Sequence, residues 1–229
     1  MKIKQWYIQV WQESLYYEKT MIEWVPCQTL ILHGAGESDI TRTMALRQAL
    51  YVRWIPTLAF DFSWHGKSTS HEPISIRKRI NEAREVAYKY LDIMRDIQVI
   101  GFSMSGEVSI RLTESLQIMN LILFAPWIYH HDAINLPFWD KFRTLLQTPE
   151  SWKQNQISDI LESYRWFLLL LTPENDTVIP PWVNDVIMES APMAYKKHII
   201  IPDAPHTIGK WMNENPSRIE AFIDHLQLR

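Results

Sequence analysis

Short apolar runs alternate with helical patterns along most of this chain. Continuous apolar runs of the kind that form strands buried on both faces occupy residues 28–33, 57–62, 96–102, 120–126, 165–172 and 197–202. Apolar side chains at three- and four-residue steps predict helices over 41–54 and 75–94, and two further helices are expected in the segments that begin at 207 and 216. This alternation predicts an α/β fold with a mostly parallel central sheet covered by helices on both faces.

Two segments depart from that rhythm. Residues 3–11 and 15–24 mix aromatic, β-branched and polar side chains, which predicts an N-terminal antiparallel hairpin. Residues 127–164 are rich in aromatic side chains and too long for an ordinary loop, so we expect a short lid-like insertion with one or two short helices. A chain of 229 residues without internal repeats is expected to form a single domain over residues 1–229.

Composition and charge exclude several classes of protein. The chain is 47% hydrophobic and 21% charged, which is typical of a globular domain, and its formal net charge of -3 gives no general attraction to nucleic acid. The sequence shows neither an apolar stretch of membrane-spanning length nor the pattern of a secretion signal. The single cysteine, Cys27, excludes an internal disulfide. A cytoplasmic protein is therefore expected, and the sequence gives no indication of its oligomeric state.

The glycines mark three turns. Only six are present, and five of them lie in three short stretches that each follow an apolar run, at 34–36, 66 and 101–106. In the last stretch, Ser103 stands between a predicted strand and an amphipathic segment. This resembles the nucleophile-elbow pattern G-x-S-x-G, a sharp turn that raises a serine hydroxyl above the sheet. Ser105 replaces the second glycine, which is a small change in volume. We expect all three turns at one edge of the sheet.

A serine hydroxyl needs a base to become a useful nucleophile, and the base needs a group that orients it. His206 follows the last predicted strand, and Asp176 follows the strand before it. The order Ser103, Asp176, His206 is the order that this arrangement of strands would generate. Glu174 and Asp203 lie in the same two loops and are alternative candidates for the acid.

The chain resembles the α/β-hydrolase superfamily, and within it the small serine hydrolases. The matching segments are residues 33–36, 61–68, 101–106, 174–180 and 204–206. The resemblance implies that Ser103 attacks a carbonyl, that His206 acts first as general base and then as general acid, and that Asp176 orients the imidazole. It also implies that the backbone N–H groups of Ala35 and Met104 form an oxyanion hole.

The activity implied is hydrolysis of a small-molecule carboxylic ester or thioester through an acyl-enzyme, without a metal or an organic cofactor. An amidase or peptidase would use the same three residues, and perhydrolysis or lyase chemistry would keep the fold and change the reaction. A non-catalytic protein of the same fold that binds a small molecule or a protein is the alternative from another class.

Two groups of residues have more than one interpretation. Trp127, Phe138 and Trp139 are candidates for an apolar substrate pocket, although aromatic residues of an insertion also serve to pack it onto the body of the protein. The His-His-Asp sequence at 130–132 suggests a metal site. Adjacent histidines on one short segment seldom reach the same ion, however, so no metal site is expected.

Overall fold

An eight-stranded sheet organises residues 1–226, the part of the chain that the computed structural model describes. Its strands are β1 (Ile3–Val10), β2 (Glu13–Thr20), β3 (Thr29–Leu32), β4 (Thr57–Phe60), β5 (Ile97–Phe102), β6 (Ile118–Phe124), β7 (Phe167–Asn175) and β8 (Tyr195–Pro205). Their order across the sheet is β1-β2-β4-β3-β5-β6-β7-β8. The hairpin β1–β2 is antiparallel and joins β4 in the antiparallel sense, whereas all remaining neighbours are parallel. The predicted sheet and the N-terminal hairpin are therefore confirmed.

Helices cover both faces of this sheet. They are α1 (Met44–Val52), α2 (Ile76–Tyr90), α3 (Ser105–Leu112), α4 (Asp140–Gln147), α5 (Ile157–Glu162), α6 (Pro181–Ser190) and α7 (Ile208–Glu214). Successive strand residues point to opposite faces, so Leu30 joins one hydrophobic cluster with α2 and α3, and Ile31 joins a second cluster with α1 and α7. The continuous apolar runs of the central strands follow from this burial on both faces.

The N-terminal hairpin turns earlier than the sequence pattern predicts. Trp11 adopts a left-handed backbone conformation with a φ of 49°, and a turn at Trp11 and Gln12 joins the two strands. Glu13 therefore pairs with Val10 in the ladder. As a result β2 begins two residues before the predicted start at 15, and it ends at 20 rather than 24.

Two helical regions also differ from expectation. The strand pattern of the sequence leaves helix α6 out, although Pro181 at its first position and the buried Val183 and Ile187 on one face are ordinary signals for a helix. The predicted C-terminal helix consists of two short 3₁₀ helices, Pro216–Ala221 and Ile223–Leu226. The part of that prediction beyond residue 226 lies outside the described residues.

The segment between β6 and β7 contains the predicted short helices. Besides α4 and α5 it holds two 3₁₀ helices, His131–Asn135 and Ser151–Gln154. A role for this segment as a lid stays a prediction. Across residues 1–226, no helix has both the length and the apolar character that crossing a membrane requires.

Candidate active site

Ser103 occupies the apex of a tight turn between β5 and α3. Its φ of 51° lies in the left-handed region, which residues other than glycine seldom adopt. A nucleophile elbow has this strained geometry. The turn is closed by a 2.8 Å hydrogen bond from the Gly106 N–H to the Ser103 carbonyl oxygen. A side chain at Gly101 would collide with the Ser109 hydroxyl. Glycine at 101 is therefore a steric requirement of the elbow.

Ser105, which replaces a glycine of the usual pattern, is fully buried. Its hydroxyl donates a hydrogen bond of 2.5 Å to the carbonyl oxygen of His33, at the end of β3. The buried hydroxyl is thus satisfied, which removes the energetic objection to a polar side chain at this position. The bond also links the elbow to the turn that follows β3.

Three side chains form a continuous chain of hydrogen bonds at the carboxyl edge of the sheet. Ser103 Oγ lies 3.1 Å from His206 Nε2, and His206 Nδ1 lies 2.9 Å from Asp176 Oδ2. Because a carboxylate only accepts, Nδ1 carries the proton and Nε2 is free to accept from the serine hydroxyl. Asp176 and His206 follow the neighbouring parallel strands β7 and β8, which brings them together at this edge.

Both oxygens of the Asp176 carboxylate accept hydrogen bonds. Its second oxygen, Oδ1, accepts hydrogen bonds from the backbone N–H groups of Val178 at 2.8 Å and Ile179 at 2.9 Å. Burial acts to raise the pKa of Asp176, but the hydrogen bonds from His206, Ile179 and Val178 outweigh it and hold the pKa below its ordinary value. Asp176 is therefore ionised at neutral pH and can stabilise a protonated imidazole.

The two alternative acids make other contacts. Glu174 Oε2 accepts a 2.9 Å hydrogen bond from the backbone N–H of Asp203. Asp203 Oδ2 in turn lies 3.5 Å from Arg218 Nη1. Of these three carboxylates, the one hydrogen-bonded to His206 within the described residues is Asp176.

Ala35 and Met104 lie on the two turns that flank Ser103. Met104 directly follows Ser103 and precedes the first turn of α3. Ala35 follows Gly34, where an added Cβ would come within 3.4 Å of Ser103 Cβ. The turn after β3 therefore runs alongside the serine, as an oxyanion hole requires. The assignment of the two N–H groups as oxyanion donors stays a prediction.

A buried arginine, which the sequence pattern does not predict, supports the turn after β3. Arg79 on α2 is fully buried. Its Nη1 donates to the Gly34 carbonyl oxygen at 3.1 Å, and its Nη2 lies 2.5 Å from His65 Nε2. His65 Nδ1 lies 2.9 Å from the Ser38 carbonyl oxygen, and His33 Nδ1 lies 2.8 Å from the Gly34 carbonyl oxygen. Carbonyl groups at both ends of the turn are therefore held by side chains.

The charge state of this network follows from its burial. Burial lowers the pKa of Arg79 to about 10, which still leaves the guanidinium charged at neutral pH. Burial, followed by the charge of Arg79, lowers the pKa of His65 to about 4. A neutral His65 accepts from Arg79 through Nε2 and donates to Ser38 through Nδ1. His65 thus connects Arg79 by hydrogen bonds to the Ser38 carbonyl oxygen at the far end of the turn.

A cleft of about 540 Å³ opens beside Ser103 and His206. Its walls include residues 33–35, 37, 38, 42 and 43, which lie between β3 and α1, and residues 206–210, which span the start of α7. Val178 adds to a lining that is mainly apolar. This volume is large enough for a small ligand.

Trp127, Phe138 and Trp139 were expected to line a substrate pocket. Within the part of the chain that the structure describes, none of the three lines this cleft. The Trp127 ring packs 6.2 Å from the Tyr129 ring, and the Phe138 ring lies 4.7 Å from the Phe142 ring. Trp139 is 53% exposed. Trp127 and Phe138 therefore help to pack the segment between β6 and β7, which was the second interpretation of these aromatic residues.

The histidine pair at 130–131 is largely occupied by protein contacts. Ligand atoms of His130, His131 and Asp132 lie within 4.8 Å of one another. However, His130 Nδ1 accepts from the Asp132 N–H at 3.1 Å, and His130 Nε2 lies 2.9 Å from Gln154 Oε1. His131 Nδ1 lies 2.9 Å from the Gln154 carbonyl oxygen. The cluster thus offers one imidazole nitrogen and one carboxylate, fewer than the three protein ligands typical of a catalytic zinc site.

The sheet order and the serine turn after β5 define the α/β-hydrolase fold, and known structures agree. The chain is similar to a CIB-like hydrolase from Thermoplasma acidophilum, with 16% identity, a TM-score of 0.70 and coverage of 99% of this chain and 98% of the other. It is also similar to Est1E from Butyrivibrio proteoclasticus with bound ferulic acid (19% identity, TM-score 0.70, coverage 96% and 98%). A thioesterase domain from the curacin biosynthetic pathway gives 12% identity and a TM-score of 0.73, with coverage of 97% and 99%.

Comparison of the sequence with protein-family models and with curated proteins gives no match. At identities below 20%, the structural likeness establishes the fold.

Proposed function

We propose that this protein is a serine hydrolase that cleaves a carboxylic ester or thioester through an acyl-enzyme. The observation that carries the proposal is the hydrogen-bonded chain from Asp176 through His206 to Ser103, at the mouth of a cleft that can admit a small substrate. A nucleophile, a base within hydrogen-bond reach and a group that orients the base are the parts that such catalysis needs.

The first half of the reaction forms the acyl-enzyme. Ser103 Oγ attacks the carbonyl carbon while His206 Nε2 takes the hydroxyl proton. Asp176 accepts the hydrogen bond from Nδ1 and stabilises the imidazolium that forms. The N–H groups of Ala35 and Met104 donate to the oxyanion of the tetrahedral intermediate. His206 then gives its proton to the departing alcohol or thiol as the bond to the leaving group breaks.

The second half releases the acid. Water enters the cleft, loses a proton to His206 Nε2 and attacks the acyl carbon on Ser103. The new tetrahedral intermediate collapses as His206 returns the proton to Ser103 Oγ, which breaks the acyl bond and frees the carboxylic acid. The structural neighbours include Est1E with bound ferulic acid, which is a carboxylic acid, and a thioesterase domain, and both support an acyl substrate.

A fluorophosphonate probe tests the proposal directly. Native protein is treated with the probe, the labelled peptide is identified by mass spectrometry, and p-nitrophenyl esters, thioesters and anilides of the same acyl chain are assayed in parallel. We expect label on Ser103 and turnover of the ester and thioester, both lost in Ser103→Ala. A folded native protein that takes up no label and turns over no substrate would instead support a binding protein. Faster turnover of the anilide than of the ester would indicate an amidase.

A further inference from the structure

The cleft beside Ser103 carries charged side chains whose balance differs from that of the whole chain. Arg42, Lys210 and Glu37 line it, which makes two cations and one anion. The chain as a whole has a formal net charge of -3. The cleft wall is thus locally cationic within an acidic protein, and such a wall attracts anions.

The guanidinium of Arg42 is available to a ligand. Its Nη2 donates to the backbone carbonyl oxygen of Glu37 at 3.3 Å, a long bond to a neutral acceptor. Among the described residues, no ion pair with a carboxylate engages it within 4.0 Å. Lys210 Nζ lies 3.7 Å from Glu214 Oε1, and both of these side chains are more than half exposed, so their pairing contributes little. Both cations can therefore turn to a bound anion without losing a strong partner.

The backbone that carries Arg42 is held firmly against α7. A Cβ added at Gly209 would lie 2.8 Å from the Arg42 carbonyl oxygen, so glycine permits this close approach. Asn213 Nδ2 donates to the Thr41 carbonyl oxygen at 2.8 Å, and Asn213 Oδ1 accepts from the Ala45 N–H at 2.9 Å. These contacts fix the 3₁₀ helix Ile40–Thr43 beside the helix that bears Lys210. The two cations are thus presented on a common rigid support.

The rest of the cleft is suited to a hydrocarbon chain. Val178 and Ile208 contribute apolar surface to the cleft, which reaches the Ser103 hydroxyl. A substrate that fills it would place its carbonyl at Ser103 and an apolar stretch along these side chains. A negatively charged group elsewhere on that substrate would meet Arg42 and Lys210.

On the basis of the proposed hydrolase function, we propose that Arg42, assisted by Lys210, binds an oxyanion group of the substrate, so that the preferred esters or thioesters carry a carboxylate or a phosphate. Arginine is well matched to both groups because its planar guanidinium donates two parallel hydrogen bonds to either. Glu37 opposes this binding by repulsion and sets its strength.

Matched ester pairs test the inference. One series compares p-nitrophenyl alkanoates with their ω-carboxy and ω-phosphono analogues of equal chain length, which separates carboxylate from phosphate recognition. A second series places the carboxylate on the phenyl leaving group, which tells whether the anion site lies on the acyl or the leaving-group side. The readout is the ratio of kcat/KM for the anionic ester to that for the neutral ester.

We expect wild-type protein to prefer an anionic ester in at least one series, and Arg42→Gln to lower that ratio on the order of tenfold, as loss of a charge-assisted hydrogen bond implies. Lys210→Gln should lower it less, and Glu37→Gln should raise it. Arg95→Gln is the matched control. Arg95 lies just before β5, at the amino ends of the parallel strands and so away from the cleft, and it pairs with Asp92 on the surface. Added salt should reduce the wild-type preference.

The outcomes separate the inference from the proposed function. If neutral esters are hydrolysed through Ser103 but neither Arg42→Gln nor Glu37→Gln changes the ratio, the anion site is refuted and the hydrolase stands. If folded wild-type protein takes up no fluorophosphonate label and turns over neither esters nor thioesters, the hydrolase itself is refuted. Glu37 is exposed, so its variant provides a test even if Arg42→Gln folds poorly.

Discussion

The hydroxyl of Ser105 donates a 2.5 Å hydrogen bond to the carbonyl oxygen of His33, and so joins the nucleophile turn to the turn that follows β3. Both residues are buried. Ala35, one of the two proposed oxyanion donors, lies two residues beyond His33. The bond therefore sets the position of that donor relative to Ser103. Ser105, which departs from the usual elbow pattern, therefore contributes to the geometry of the site.

Removing this hydroxyl should affect both stability and turnover. We expect Ser105→Ala to lower the free energy of unfolding by about 1–3 kcal/mol, because the buried His33 carbonyl loses its donor. The kcat should fall more than KM rises, since oxyanion donors act mainly in the transition state. Ser105→Gly, which restores the usual pattern, should behave in the same way. Urea unfolding and ester kinetics measure the two effects.

Ser109→Ala is the matched control for that prediction. Its hydroxyl is also buried in α3, but it donates to the Ser105 carbonyl oxygen at 2.7 Å within the helix. Ser109→Ala should change stability while leaving kcat near the wild-type value. A wild-type kcat in Ser105→Gly would show that the bond to His33 has no role in turnover.

Replacing Asp176 by Asn tests the acid of the proposed site. The fold should persist, but kcat should fall on the order of 10⁴-fold, because an amide can hold the imidazole in the wrong tautomer and cannot stabilise its charge. Glu174→Gln is the comparison, since Glu174 contacts the backbone of Asp203 rather than His206. Steady-state ester kinetics distinguish them. A large loss in Glu174→Gln together with an active Asp176→Asn would exchange the two roles.

Arg79 should act as a positioning residue for the turn after β3. Arg79→Met removes the donor to the Gly34 carbonyl oxygen and the partner of His65. We expect a fall in kcat with little change in KM, measured well below the unfolding temperature, and partial recovery in Arg79→Lys. Arg84→Met, on the same helix but less buried, is the control and should turn over normally. Equal kcat in Arg79→Met and wild type would make Arg79 a purely structural residue.

Glu13 should govern acid stability. Burial acts to raise its pKa, but hydrogen bonds from Lys78, Thr69 and the N–H groups at 71 and 72 outweigh burial and lower the pKa to about 2. A carboxylate with a lowered pKa stabilises the folded state above its unfolded pKa of about 4.5, and this contribution is lost as the pH falls toward 2. Glu13→Gln should cost about 3 kcal/mol at pH 7, as expected for a broken buried pair.

Urea unfolding at pH 7 and at pH 2–3 measures this difference. The gap between Glu13→Gln and wild type should narrow as the pH falls. Glu150→Gln removes an exposed pair with Lys153 and should have little effect at either pH. A constant gap between pH 7 and pH 2 would contradict the assignment of Glu13 as a charged native-state group.

The sheet was predictable because its central strands, such as β3 and β6, are apolar at most positions and so differ in pattern from the surrounding helices. The hairpin turn was harder to place, since Trp11 takes a left-handed conformation without a glycine or asparagine to mark it. Helix α6 begins at the second of two prolines, and the first of them, Pro180, reads equally well as the end of a loop.

The three hydrogen-bonded residues could be proposed from the sequence because each follows a predicted strand. The support from Arg79 could not, because an apolar pattern on a helix does not reveal a buried arginine whose partner, Gly34, lies 45 residues away. For Trp127 and Phe138 the sequence suggests a role, namely lining a pocket, that the structure does not give them. The same side chains serve for packing and for lining a pocket, and only the three-dimensional arrangement distinguishes these roles.

Ser103 and His206 lie 103 positions apart in the chain, and His206 directly follows β8, which pairs with β7. Synthesis proceeds from the N-terminus, so the elbow is made long before the strand that carries its base. Under the proposed mechanism, a nascent or truncated chain that lacks β8 and His206 holds Ser103 without its general base, and we expect it to be inactive. Recovery of the proposed hydrolase activity during refolding would therefore report docking of the last strand.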